Sequence, residues 1–305
     1  METPLVSVII PNYNHARFLD ERIQSVLNQT YQNFEVIILD DKSTDNSVEV
    51  INKYKDNPHV SHIVVNEENS GSPFKQWYRG ISMAKGGWIW IAESDDSCDN
   101  RLLERLVNGI KENVIVSFCR STRMNSSGQS IPFNYQDCLP ESLWMDGMEF
   151  ISHYLGKKCV ICNASSAIFK KEVAKIIPTD FQNYRACGDW LFWIYLVSKG
   201  YVTYTNEPLN YFRSHETNTT RKGAAIGLAQ KEKKKIVDYL VKEKYIEIKV
   251  FMQIRKREIK KIFFGTEFID SQNKHDLLRM WDVNVVEYFD LYLKKFYQIM
   301  FLKND

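Results

Sequence analysis

Short β-branched and apolar runs alternate with amphipathic stretches through the first third of the chain. Val6-Ser7-Val8-Ile9-Ile10 is closed by Pro11, which predicts a buried strand over 6–10. Residues 17–28 carry Phe18, Leu19, Ile23, Val26 and Leu27 at helical spacing. A second strand is predicted over 34–39. Ser43-Thr44-Asp45-Asn46-Ser47 then supplies N-cap residues for a helix running through Tyr54. A third strand is predicted over 62–65, a helix over 74–84 broken by Gly86-Gly87, and a fourth strand over 88–92. Strand alternating with helix predicts an α/β fold with a mainly parallel sheet covered on both faces.

After residue 96 the rhythm loosens. A helix is expected over 100–112, a strand over 114–119, a loop or hairpin over 123–136, a strand over 159–169 and a helix over 188–199. Beyond residue 220 the pattern is helical and lysine-rich, and the chain shows no internal repeat or low-complexity tract.

Two acidic pairs follow predicted strands: Asp40-Asp41 after 34–39, and Asp95-Asp96 after 88–92. Carboxylates at the ends of buried strands are costly unless positive or hydrogen-bonding groups meet them. In parallel sheets ligands gather beyond the carboxyl ends of the strands, where both pairs and Tyr13-Asn14 fall. The chain has no G-x-x-x-x-G-K-[ST] loop and no G-x-G-x-x-G turn, and residues 11–16 contain no glycine. Phosphates bound here would therefore be held by a metal, and Mg²⁺ or Mn²⁺ is the expected ion because carboxylate oxygens suit both. Asp95-Asp96, with Glu93 nearby, supplies such ligands. The alternative is that these acids cap the next helix, a role Asp99 already fills.

Bulk composition narrows the class. The chain has 305 residues, 44% hydrophobic and 26% charged, within the ordinary range for a soluble globular protein. A net charge of +2 gives no reason to expect a nucleic-acid partner. Residues 221–261 hold fourteen Lys or Arg against five Asp or Glu, so the remainder is net acidic. The apolar stripe of Tyr245, Ile248, Met252, Ile259 and Ile262 lies among these cations. It reads either as a helix on an anionic membrane surface or as one packed on the body. Phe289, Tyr292, Phe296 and Met300 form a second stripe, suited to core docking or to a homodimer. No charge-free apolar run spans a bilayer, and the start Met-Glu-Thr-Pro lacks the features of a signal peptide. Six cysteines do not make a disulfide framework, and Cys159-x-x-Cys162 without a second pair reads as buried thiols rather than zinc. A cytoplasmic protein, peripheral on the inner face of the membrane if the basic helix binds there, is the expectation.

Val6-Ser7-Val8-Ile9-Ile10-Pro11-Asn12-Tyr13-Asn14, then 25–31 and 34–45, resembles the opening of inverting family 2 glycosyltransferases of the GT-A fold. Asn69-Ser70-Gly71, Gly80-Ile81, Ala84-Lys85-Gly86-Gly87 and Glu93-Ser94-Asp95-Asp96 continue the match. Gly188-Asp189-Trp190 and Tyr211-Phe212-Arg213-Ser214-His215 complete it, in the expected order over about two-thirds of the chain. Glu93 stands where many such proteins carry aspartate, and 71–77 departs from the commoner alanine- and arginine-rich version.

The resemblance implies roles. Tyr13 would stack on a uracil-like base, Asp41 accept its imide N–H, Asp40 support the pocket and Asp95 face the ribose, with Pro11 and Lys75 also in the nucleotide site. Asp96 would coordinate Mn²⁺ or Mg²⁺ on the diphosphate, and His215 would hold the metal or a diphosphate oxygen. Asp189 would be the catalytic base, although a first-turn helix acid is its structural alternative. Trp190 would offer a face to the acceptor sugar. Residues 1–96 would form the donor half and 97–220 the acceptor half of one GT-A domain, followed by a helical basic region over 221–305. The implied reaction moves a sugar from a nucleotide diphosphate sugar, a UDP-sugar first of all, to a glycan or lipid-linked glycan with inversion. Two other classes stay open: a nucleotide-sugar-binding protein without turnover, and a peripheral membrane scaffold using its C-terminal helices.

Overall fold

The first strand, β1 (Val6–Asn12), is buried along its whole length, as are β2 (Phe34–Asp40) and β4 (Trp88–Ile91). Continuous apolar runs of this kind belong to strands covered on both faces. The computed structural model describes residues 3–215, 227–265 and 271–301. Among these, β3 (Val60–Val65), β5 (Ser97–Cys98), β6 (Val114–Met124), β7 (Ser130–Ile131), β8 (Ser142–Asp146), β9 (Ala167–Lys170) and β10 (Tyr201–Arg213) complete one sheet. Its order is β3-β2-β1-β4-β9-β6-β10-β5, with β7 added on β6 and β8 on β10. β1 is parallel to β2 and β4, and β10 is parallel to β6. β9 runs antiparallel to both β4 and β6, so β6 points the same way as β4. The carboxyl ends of β1, β2, β4, β6 and β10 therefore share one edge. The register sets Asn12 opposite Asp40 at that edge.

Helices α1 (Ala16–Leu27), α2 (Ser47–Asn52) and α3 (Pro73–Met83) follow the first three strands, as the periodicity predicts. α1 buries Phe18, Leu19, Ile23 and Val26. α3 approaches β1 so closely that a Cβ on Gly80 would stand 2.5 Å from Ile9 Cγ2, which only glycine avoids. α4 (Leu102–Asn108) is shorter than the expected 100–112. The polar stretch over 123–136 opens as a hairpin, with Arg123 opposite Ile131 across an Asn125–Gly128 turn.

The strand expected over 159–169 forms only as β9. Before it, Asn163 accepts from Ser165 N–H and starts a 3₁₀ turn at Ala164–Ser166, so local side-chain bonding displaces the ladder. α5 (Gly147–Phe150) and α6 (Lys171–Ala174) are single turns. α7 (Gly188–Val197) is apolar on every side and buried.

The chain separates into two compact units. The first comprises 1–184 and 188–215 and holds the sheet. The second comprises 185–187 and 216–305, and its described helices are α8 (Leu228–Lys242), α9 (Ile248–Phe264), α10 (Ser271–Met280) and α11 (Val285–Phe301). Within this unit Ile236, Leu240, Ile254, Ile259, Ile262, Leu277 and Trp281 are buried. Ile259 and Ile262 of the predicted stripe thus pack inward, whereas Ile248 and Met252 stay exposed. Part of the basic charge is paired internally, Lys233 with Glu258 at 3.0 Å and Arg255 with Glu287 at 2.7 Å. The Glu232 carboxylate accepts from three successive backbone N–H groups, those of Arg185, Ala186 and Cys187, each at 2.8 Å. Phe289 and Tyr292 are exposed on α11, while the side chains of Phe296 and Met300 lie outside the described residues. Among the described residues no helix is long and apolar enough to cross a membrane.

Candidate active site

The loops leaving β1 and β2 are tied together by Asp40. Its Oδ2 accepts from Asn12 Nδ2 at 2.7 Å and Ser43 Oγ at 2.6 Å, and its Oδ1 from Ser43 N at 2.8 Å. Ser43 Oγ in turn accepts from Asn14 N, and Asn14 Oδ1 accepts from Thr44 N. Asn14 and Lys42 supply the left-handed conformations, φ 57° and 62°, that glycines supply in nucleotide loops of other design. Asp45 bridges the starts of α1 and α2 by accepting from Ala16 N and Ser47 N. Tyr13, at the tip, is 46% exposed and free to meet a planar ligand.

Asp41 faces the other side of its loop. Its Oδ1 accepts from Asn66 Nδ2, Ser70 N and Gln76 Nε2, whereas among the described residues its Oδ2 accepts only from Ser70 Oγ at 2.8 Å. A carboxylate offers about four acceptor positions, so Oδ2 keeps capacity for one more donor.

The second acidic pair divides its labour. Asp96 is fully buried. Its Oδ2 accepts from Asn163 Nδ2 at 2.9 Å and Ser165 Oγ at 2.8 Å, and its Oδ1 from Arg213 N at 2.9 Å. Asp95 turns the other way, where its Oδ2 accepts from His215 Nε2 at 2.8 Å. The His15 ring meets the His215 ring edge-on at 5.4 Å between centroids, and His15 Nδ1 lies 2.9 Å from Ser94 Oγ. One ligand atom each from His15, Asp95 and His215 falls within 4.8 Å of the others.

Electrostatics separates these acids further. Burial, then the negative charges of Asp95 and Asp96, pushes Glu93 up to about 8, although Trp77 Nε1 donates to its Oε1 at 2.8 Å. Burial and the neighbouring Asp95 push Asp96 up to about 6. Burial also opposes the charge on Asp95, yet the His215 hydrogen bond and nearby His15 hold it below the ordinary carboxylate range. Burial lowers His15, so its imidazole is neutral and keeps a lone pair at neutral pH. Two buried guanidinium groups stand behind the cluster. Arg22 Nε donates to Glu93 O at 2.9 Å, and Arg213 Nε to Asp95 O at 2.8 Å. An ionised carboxylate with two imidazoles is a mixed oxygen and nitrogen donor set. It fits Mn²⁺ and other first-row cations, whereas Mg²⁺ prefers oxygen alone.

Sequence comparison decides the family. The profile of glycosyl transferase family 2 matches residues 7–177, more than half of the chain. The chain belongs to glycosyl transferase family 2. Its likeness to the putative teichuronic acid biosynthesis glycosyltransferase TuaG of Bacillus subtilis is 29% identity over 211 residues, covering 69% of this chain and 79% of TuaG. Across the first curated relatives the aligned stretch spans from 36% to 79% of the relative's own length. The fold is that of Staphylococcus aureus TarS 1-349, solved with UDP-GlcNAc, at TM-score 0.59 and 17% identity over 96% of this chain and 77% of that one. It is also that of the mannosyltransferase PcManGT from Pyrobaculum calidifontis, solved with GDP-Man and Mn²⁺, at TM-score 0.56 and 13% identity over 98% and 81%. The architecture is thus GT-A.

Within this family 2 domain, the remaining predicted site residues are placed as follows. Pro11 is buried in β1, and Lys75 Nζ donates to Ser70 O at 3.0 Å, beside the Asp41 loop. Asp189 sits half-buried in the first turn of α7. Burial first, then the negative charges of Asp189 and Asp96 acting together, pushes the Cys162 thiol up to about 12. Both acids therefore bear on one region of the first unit. Gly188, just before the acid, is required because a Cβ there would lie 2.5 Å from Phe74 Cε2. Trp190 departs from its expected acceptor role. It is 3% exposed and its Nε1 donates to Leu155 O at 2.8 Å, because an all-apolar helix turns this face into the core. Asp96 likewise spends its oxygens on three protein donors, and the open carboxylate of the pair is Asp95.

The sequence assigns no role to His15, Arg22, Asn163 or Ser165, nor to Arg213, although Arg213 lies in the 211–215 motif. His15 follows the Pro11-Asn12-Tyr13-Asn14 segment directly, so its place in the strand-end loop was a usable signal. The Asn163–Ser165 cradle gave none, since it becomes visible only when β9 returns between β4 and β6.

Proposed function

We propose that this chain transfers a sugar from a nucleotide diphosphate sugar, a UDP-sugar first of all, to a hydroxyl of a glycan or lipid-linked glycan, inverting the anomeric carbon in a single metal-assisted displacement. The observation that carries the reading is the His15, Asp95 and His215 cluster on the same sheet edge as Asp41 and Tyr13. In this reading Tyr13 stacks on the base, the spare capacity of Asp41 Oδ2 accepts its imide N–H, and Asp40 holds the two loops in register. Asp95, His215 and His15 would hold Mn²⁺, while Asp96 fixes the turn through Asn163, Ser165 and the Arg213 N–H. When bound, a divalent cation would supply stabilisation for the negative charge that develops on the departing diphosphate. Asp189 takes the proton of the acceptor hydroxyl as it attacks, because a neutral hydroxyl is a poor nucleophile. The UDP-GlcNAc complex of TarS and the teichuronic acid context of TuaG support a UDP-sugar and a cell-surface polymer. The Mn²⁺ complex of PcManGT supports the cation. The donor half is 1–96 and the acceptor half 97–220. Exposed Ile248 and Met252 among the basic residues of α9 support a peripheral membrane role for the helical region, which flotation with anionic liposomes tests.

The test measures UDP release and glycan product from a panel of UDP-sugars, with and without Mn²⁺. Wild type gives metal-dependent turnover. Asp189→Asn binds UDP with unchanged affinity but loses transfer by roughly 10²–10⁴-fold, the range for general base catalysis. Turnover without metal, or full turnover by Asp189→Asn, overturns the assignment.

A further inference from the structure

A groove of about 440 Å³ opens beside the hairpin of β6 and β7, lined by Arg120, Ser121, Thr122, Arg123, Ile131 and Phe133 among others. It lies at the carboxyl end of β6, the sheet edge that also carries Asp95. The last residues of β6 pair in register with those of β10, Arg123 opposite Phe212 and Met124 opposite Arg213. Arg123 Nη2 donates to Ser214 Oγ at 2.9 Å, one residue before His215. The groove is thus continuous along the backbone with the candidate metal cluster, yet none of its lining residues serves the donor in the reading above.

Its two arginines differ. Arg120 is neutralised by Asp137 and also donates to Asn206 Oδ1. Arg123 has no carboxylate partner among the described residues, and its Nε is buried without an acceptor. A guanidinium in that state is short of acceptors, and its planar fork matches a carboxylate or a phosphate. Phe133 supplies an apolar wall, held by Tyr135 stacked nearly parallel at 5.9 Å and by Phe212 at 6.3 Å. Aromatic walls with a few fixed polar groups are the usual make-up of a small-ligand site, and the volume falls within the usual 300–1,000 Å³ range.

We propose that this groove is the acceptor subsite for an anionic saccharide chain, with Phe133 under a sugar ring and Arg123 pairing a phosphate or carboxylate of the chain. The proposal rests on the transferase reading above for the word acceptor, but the binding it describes is measurable without turnover. Three probes of equal length separate the sources: a phosphodiester-linked polyol oligomer, a hexuronic acid oligosaccharide and a neutral oligosaccharide. Calorimetric titration of the full chain should show one of the charged oligomers bound at least tenfold more tightly than the neutral one. Arg123→Gln and Phe133→Ala should each weaken that binding about tenfold, and Arg123→Lys should restore it only in part, since the charge returns without the fork. Binding of UDP with Mn²⁺ should stay unchanged in all three variants, which also shows that they fold. Equal binding of charged and neutral oligomers by wild type, or charged-oligomer binding unaffected in both Arg123→Gln and Phe133→Ala, overturns the proposal. Absence of UDP binding by wild type, with oligomer binding present, overturns the transferase reading and leaves the groove standing.

Discussion

His215 Nε2 lies 2.8 Å from Asp95 Oδ2, although 120 residues separate them in the chain. The contact is made by the sheet. β10 ends at Arg213, whose backbone N–H is bonded to Asp96 Oδ1, and two residues later the imidazole meets Asp95. One strand end thus holds both members of the acidic pair, one through its backbone and one through a side chain.

That relationship predicts where a cation binds. Asp95→Asn and His215→Ala should each weaken Mn²⁺ binding by about tenfold or more in an electron paramagnetic resonance titration without nucleotide. His15→Ala should weaken it as well, because the third nitrogen donor is lost. Wild-type affinity in Asp95→Asn would rule the cluster out.

Asp96 should behave as a structural acid. Asp96→Ala leaves Asn163 Nδ2, Ser165 Oγ and Arg213 N without their acceptor in a buried site. The expected loss is roughly 2–4 kcal/mol in urea denaturation. A variant that kept its stability but lost Mn²⁺ would return Asp96 to the role of metal ligand.

Trp190→Phe removes one buried hydrogen bond, that to Leu155 O, and replaces the indole by a smaller ring that leaves a cavity. It should cost about 2–3 kcal/mol of stability, from the lost bond and the cavity together, and leave the KM for acceptor unchanged. A selective rise in that KM would restore Trp190 to acceptor binding.

Acid should strike the helical unit through Glu258. Burial opposes its charge, but Lys233 and then Arg257 outweigh burial and hold its carboxyl below the ordinary range. A carboxylate lowered in the folded state contributes stability above its unfolded value, and that stability is lost as pH falls through the folded value. Far-UV circular dichroism from pH 6 down to 3 should show helix loss in wild type. Glu258→Gln should be less stable at pH 6 and should show a flatter response to acid.

Much of the fold was legible in the chain. The alternation of 6–10, 34–39 and 88–92 with amphipathic stretches depends on local periodicity, and it yields β1, β2 and β4 with their helices. The stretch 159–169 departs from the predicted strand because its apolar residues carry the strand pattern, while Asn163, Ser165 and Ser166 spend their polar groups on a 3₁₀ turn. The last strand, β10, leaves no continuous pattern in the sequence, since Asn206, Glu207 and Pro208 interrupt it where it shifts register against β6.

By itself the sequence determined the parallel strands β1, β2 and β4 with their helices, and the edge where the chemistry gathers, because both follow from residue periodicity and from acids placed after strands. Tertiary structure alone decided which acid of each pair is open. Asp95 and Asp96 are neighbours in an irregular turn, where no periodicity says which way a side chain points. Asn163, Ser165 and Arg213 draw one carboxylate inward, and His15 and His215 meet the other, through partners that only long-range strand pairing brings within hydrogen-bonding distance.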